Sequence, residues 1–318
     1  TGADLPRVGA GLLAAVLITT VLVCRPATGR AARDLVLALA APPLLMAAHR
    51  ANPDLVAFVL MGLSLICLRR DRRAPRALAI VLLALAAALK YFPLAAIILL
   101  LEARTRRELL GWFAIYASVL LLAWPSLQRS LGIAAAHMPA PSWLYAFGAP
   151  MIFRNLDLSA ATVLGWTVAG LLLGAGALLW WPRAPRPADQ PSPSSPEFLA
   201  GAIMVVGCFL HGSSYAYKLI FALWLLPGLW RPAESGTDMR WRDATKLLLF
   251  TTLWFEGAAV TVFNVTVMNF PVPVATGDLV LRGIMLLSQL LAWALCLLLW
   301  RSVVIYLNQQ WQRWIARA

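Results

Sequence analysis

Two aspartates, Asp4 and Asp54, and three cations, Arg50, Lys90 and Lys218, are the side chains of this chain whose types and settings could do chemistry. "HRANPD" at 49–54 brings His49, Arg50, Asn52 and Asp54 together within one short turn. A carboxylate held near cations suits general-base work on a hydroxyl, or orienting one. Asn52 or Asp54 as the cap of a following helix is the competing structural role. "KYFP" at 90–93 sets Lys90 and Tyr91 inside an apolar run from Leu78 to Leu101, and "HGSSYAYK" at 211–218 sets His211, Tyr215, Tyr217 and Lys218 in another. A lysine in such a setting has only anions as partners, either a protein carboxylate or a ligand phosphate. The neighbouring Tyr and His side chains could bond a sugar or headgroup, or serve as interfacial belt residues.

The elements that position these groups are membrane helices. The chain has 318 residues, is 61% hydrophobic and only 13% charged, and has a mean hydropathy of +0.76. That excludes a soluble domain, and the Leu, Ala and Trp runs without alternation exclude a barrel. The pattern predicts an all-α, polytopic transmembrane helical bundle, one domain over 1–318. About 11 spans are expected, near 10–24, 34–48, 55–69, 77–89, 94–101, 109–124, 161–181, 198–210, 216–230, 247–263 and 279–300. With Thr1 outside, most of the 27 Lys and Arg residues fall on the cytoplasmic side. Arg7, Arg50, Lys90, Arg129, Arg154, Lys218 and Arg282 are the exceptions, as the positive-inside rule requires. The net charge of +13 therefore reads as topology, not as a nucleic-acid interface.

This orientation puts the basic blocks at 69–76 and 102–107 on one side, so the run between them has to turn back. Pro93 donates no backbone hydrogen bond and disfavours helix just before it, which predicts a hairpin tip at Lys90–Pro93 facing a cavity on the outer side. An outer loop over 125–160, rich in aromatics and containing His137, is expected to cover a pocket. A Pro- and Ser-rich cytoplasmic linker follows at 182–197, and the end, 308–318, reads as a short helix on the inner leaflet. Cys24, Cys67, Cys208 and Cys296 lie in or beside apolar runs without CxxC spacing and read as buried apolar residues. No motif announces a metal, a cofactor or a nucleotide.

The stretches "HRANPDLVAFVLMGLSLICLRR", "ALAIVLLALAAALKYFPLAAIILLLEARTRRE" and "HGSSYAYKLIFALWLLPGLW" resemble the GT-C superfamily of polytopic glycosyltransferases. Within it they are most similar to the branch of polyprenyl-phosphomannose-dependent mannosyltransferases and related arabinofuranosyltransferases. Asn52 and Asp54, Lys90 to Pro93, and Tyr217 with Pro227 carry the similarity, which covers residues 30 to 230. It implies transfer of a sugar from a polyprenyl-phosphate donor to a lipid or glycan acceptor, on the outer face of a bacterial cell membrane, with no nucleotide. Such proteins carry a catalytic Asp in the first outer loop. Here that first helix and most of its loop are expected to lie upstream of Thr1, with Asp4 as the tail of the loop, so Asp54 and Asp4 are the catalytic candidates. Lys90, Arg50 and Lys218 become candidate donor-phosphate ligands, and His49, Asn52, Tyr91, His211, Tyr215 and Tyr217 candidate substrate contacts. A transporter or flippase of an anionic lipid-linked substrate is the alternative that these cations leave open.

Overall fold

The computed structural model describes residues 5–50, 52–137, 146–154, 159–180, 195–210, 214–230, 236–270 and 273–316. Over these the protein is all-α apart from one pair of two-residue strands. The helices are α1 (Leu5–Cys24), α2 (Gly29–Leu39), α3 (Pro42–His49), α4 (Asp54–Leu68), α5 (Arg73–Leu89), α6 (Arg106–His137), α7 (Met151–Arg154), α8 (Ala160–Trp180), α9 (Pro196–Leu210), α10 (Leu226–Trp230), α11 (Gly236–Asn269) and α12 (Val274–Ala316). Two 3-10 helices interrupt the series, Phe92–Glu102 between α5 and α6 and Ala216–Leu225 running into α10.

Local signals account for many of the ends. Thr28 Oγ1 accepts from the Ala31 amide and starts α2, and Ser195 Oγ accepts from the Phe198 amide ahead of Pro196 and starts α9. The expected span at 34–48 is two helices, because Pro42 and Pro43 break the ladder and α3 leaves α2 at 50°.

The expectation of about 11 spans is not supported. Four helices are long and apolar enough to cross a membrane among the described residues, or five if α2 and α3 form one bent span. Asp54–Leu68 and Pro196–Leu210, with 15 residues each, are shorter. At 1.5 Å per residue they fall short of the roughly 30 Å hydrocarbon layer. Two further expectations are corrected. Pro125 lies inside α6, which runs on to His137, so the first part of the expected outer loop is helix. Residues 308–316 continue α12 instead of forming a separate surface helix. The linker at 182–197 lies outside the described residues as far as 194.

Sequence wins locally at residues 90–93. The α5 ladder stops at Lys90, whose backbone is extended (φ −142°, ψ 133°), and Pro93 sits in the first turn of the 3-10 helix, where its missing N–H costs nothing. That helix packs back against α5. A 3-10 helix rises about 2.0 Å per residue and is uncommon beyond three or four residues. Stretches of 11 and 10 residues in this form reach about 20 Å each, further than α-helices of the same length.

Both 3-10 helices pack on α9, which is buried along nearly its whole length. Contact is close enough to reach backbone. A Cβ added at Gly201 would stand 3.0 Å from the Leu225 amide nitrogen and 3.1 Å from the Trp224 carbonyl carbon. Neither atom can swing aside as a side chain would, so Gly201→Ala is expected to cost about 1–3 kcal/mol. Thermal unfolding of the purified protein measures this, and an unchanged midpoint would mean that α9 and the second 3-10 helix separate freely.

Candidate active site

The site forms where α4 begins, α5 ends and the second 3-10 helix begins. Asp54 is the first residue of α4, and its side chain is 2% exposed. Two features hold a charge there. The N-terminus of α4 presents unpaired amides and the positive end of its dipole, and Lys90 Nζ lies 3.2 Å from Asp54 Oδ1. The aspartate is fixed by its backbone. Asn52 Oδ1 accepts from the Asp54 amide at 2.9 Å, closing an Asx turn ahead of the helix. Asn52 thus has a structural task whatever else it does.

Lys90 is the less constrained member of the pair. Its side chain is 31% exposed, and its backbone belongs to neither flanking helix. Lys218 contrasts with it. Residue Lys218 is 3% exposed, with Nζ 4.9 Å from the ring centre of Phe92 and 5.9 Å from that of Tyr91. Ring faces attract an ammonium by about 2 kcal/mol when water is excluded. They do not neutralise it. No carboxylate pairs with Lys218 among the described residues. Both Asp54 and Lys218 lie within electrostatic reach of the buried Cys208 thiol, which places the two charges around one spot.

Beneath these charges lies a dry aromatic floor. In a 3-10 helix, side chains three residues apart eclipse one another. Lys218, Phe221 and Trp224 therefore stand in line on one face. Phe221 meets Phe92 at 5.6 Å, Phe58 at 5.7 Å and Trp224 at 5.3 Å, while Phe58 stacks on Trp224 at 4.5 Å and 20°. Phe58 is one turn along α4 from Asp54, so the floor joins the elements that carry Asp54, Lys90 and Lys218. Each ring pair adds about 0.5–1.5 kcal/mol beyond burial.

A small sheet braces the entry to the second 3-10 helix. Ala146 and Phe147 pair antiparallel with Tyr215 and Ser214. The Gln289 side-chain amide donates to the Ala146 carbonyl at 2.7 Å, and the Ala149 amide donates to Phe209 O at 2.8 Å. Lys218 is thus positioned by α9, α12 and the segment after residue 145.

The other expected site residues spread around this centre. His49 and Arg50 are exposed where α3 ends, on the rim beside Asn52. Tyr91 is half-buried between Lys90 and the Lys218 shelf, within electrostatic reach of Asp54. Tyr217 is half-buried one residue before Lys218, and Tyr215 enters through its strand pairing. Asp4 and His211 lie outside the described residues. Phe92, Phe58, Phe221 and Trp224 were not anticipated as site residues. The spacing 218, 221, 224 points to them only once the segment is known to be a 3-10 helix. No group of His, Cys, Asp and Glu could hold a metal ion among the described residues.

Fold and site together define a helical membrane protein with a buried carboxylate paired to a part-exposed ammonium, and a buried ammonium beside them, at one end of its bundle. The family model for glycosyltransferase family 87 matches residues 8–212, well over half of the chain, and the protein belongs to that family. No curated protein and no solved structure matches it. Membership makes it a glycosyltransferase, with a sugar donor and an acceptor as substrates, and does not favour transport. The match includes Asp54 and Lys90 and stops before Lys218.

Proposed function

We propose that the enzyme transfers a sugar, mannose or another hexose or pentose, from a polyprenyl-phosphate donor to a hydroxyl of a lipid or glycan acceptor. The observation that supports this most is the pairing of Asp54 with Lys90 near Lys218, which no carboxylate pairs with among the described residues, inside a membrane protein of a glycosyltransferase family. In the reaction the bond from the sugar's anomeric carbon to the phosphate oxygen breaks, and a bond to the acceptor oxygen forms. The phosphate leaves with the electron pair and gains charge. A fixed ammonium in a water-poor site stabilises that charge more than solvent would. Lys90 and Lys218 supply it, with Arg50 at the rim. Asp54 takes the proton of the acceptor hydroxyl or orients it, with Asp4 as the other carboxylate suited to that task. His49, Asn52, Tyr91, His211, Tyr215 and Tyr217 are proposed to contact the sugar or headgroup.

The site end is assigned to the non-cytoplasmic side of a bacterial cell membrane, in a GT-C-like bundle. The support is the charge at the other end of the same helices, where Arg69, Arg70, Arg72 and Arg73 join α4 to α5 and Arg104, Arg106 and Arg107 precede or open α6. A lipid-phosphate donor also fits a cation site set among apolar helices.

The test is transfer by membranes carrying the protein, incubated with radiolabelled polyprenyl-phosphate sugars and scored for labelled lipid and glycan. Wild type should transfer label. Lys90→Met should insert normally and lose about 100-fold or more of the rate, equivalent to about 3 kcal/mol of transition-state stabilisation. No transfer from any polyprenyl-phosphate donor would overturn the donor class, and normal transfer by Lys90→Met would remove Lys90 from the mechanism.

A further inference from the structure

The two lysines of the site are in opposite states. Lys90 already has an anion at 3.2 Å, whereas Lys218 is buried against ring faces with no carboxylate paired to it among the described residues. A buried ammonium without an anion is the stronger attractor for an incoming phosphate. While Lys90 stands 3.2 Å from Oδ1, its ammonium is the carboxylate's charge partner and crowds that oxygen against an acceptor hydroxyl. The pair has one movable member. Asp54 is buried on the first turn of α4 and pinned through its amide by Asn52, while Lys90 is part-exposed on a four-carbon stem between two helices.

Resting on the donor class proposed above, we propose that the donor phosphate docks on Lys218, draws Lys90 away from Asp54, and only then frees Asp54 for the acceptor hydroxyl, so that binding is ordered with donor first. The phosphate replaces Asp54 as the counter-ion of Lys90, and its negative charge offsets the excess positive charge that Lys90, Lys218 and Asp54 carry at rest. Asp54 then takes the acceptor proton as the sugar–phosphate bond breaks and the new glycosidic bond forms. The freed phosphate retains both lysines until it leaves. An acceptor arriving first meets a carboxylate already engaged.

The test measures binding of a radiolabelled polyprenyl monophosphate to the full chain in nanodiscs of neutral lipid. Asp54→Asn has the same shape and keeps the backbone amide that Asn52 holds. It releases Lys90 and should bind the probe about tenfold more tightly than wild type while losing transfer, a split that a structural defect would not produce. Asp54→Ser should also bind more tightly, giving a second variant should the amide refold the turn. Lys218→Met should bind at least about tenfold more weakly. In the double variant Asp54→Asn, Lys90→Met the gain should vanish, because no freed lysine remains. Equal or weaker probe binding by both Asp54 variants, with the Lys218 and Lys90 variants still impaired, would overturn the hand-over and leave the donor site standing. Wild-type binding by both lysine variants would remove the donor-phosphate site itself.

Discussion

Lys218→Met is expected to yield a protein as stable as wild type, or more stable by about 1 kcal/mol, whose transfer rate is lower by about a thousandfold. The two halves of this result have one origin. The Lys218 ammonium is 3% exposed, and its observed partners are the faces of Phe92 and Tyr91. Methionine fills a similar volume, keeps contact with those rings through its thioether, and removes a charge that no carboxylate pairs with among the described residues. Folding loses little by that exchange. Catalysis loses the cation nearest the aromatic floor, where charge on a departing phosphate is least screened, and a thousandfold corresponds to about 4 kcal/mol. Lys218→Arg should not restore the rate, since a planar guanidinium cannot enter the space above Phe92 in the same pose. Thermal unfolding beside transfer from a radiolabelled polyprenyl-phosphate sugar reads both halves. A large fall in stability with transfer retained would make Lys218 a packing residue. The paired outcome has the form expected of a functional site, where stability is given up for activity.

How far the sequence disclosed this site depends on which force placed each residue. Local forces were legible. Pro93 disfavours α-helix just before it, so the break at Lys90 and Tyr91 follows from the chain alone, and "HRANPD" announces the turn that Asn52 closes on Asp54. Partnerships across the bundle were not legible. Nothing in the chain says that Lys90 meets Asp54, 36 positions away, because both lie next to apolar runs that would also fit other neighbours. The aromatic floor was hidden by helix type. At the α-helical 100° per residue, Trp224 falls well off the face of Lys218, whereas at three residues per turn they align. The span count failed for a related reason. Apolar character shows that a segment avoids water, but α9 avoids it inside protein, so burial among other helices and burial in lipid read alike.

At the far end of the bundle, Glu197→Gln is expected to destabilise the protein by about 3 kcal/mol and to leave the rate per folded molecule unchanged. Glu197 is in the first turn of α9, its side chain 4% exposed, and Arg69 Nε is 2.5 Å from Oε1. The same guanidinium donates to the Val23 and Leu22 carbonyls at the end of α1, where a helix leaves acceptors unpaired. One arginine thus ties α4, α9 and α1 together. Neutralising the glutamate leaves a cation held among carbonyls with its charge no longer matched, and breaking one side of a buried pair costs about 3–5 kcal/mol. Part of that is recovered by solvent at Arg69, which is 25% exposed, so the lower figure applies. The double change Arg69→Met, Glu197→Leu should cost less than either single change, because neither charge is then stranded. Melting curves of wild type, Arg69→Met, Glu197→Leu and the double variant in one detergent give this cycle directly. Additive losses would mean that Arg69 acts through the α1 carbonyls alone, with Glu197 merely nearby. Because α9 carries Gly201 against the segment that bears Lys218, a loosened α9 should also show its first damage there, as wider spread in donor affinity at temperatures just below melting.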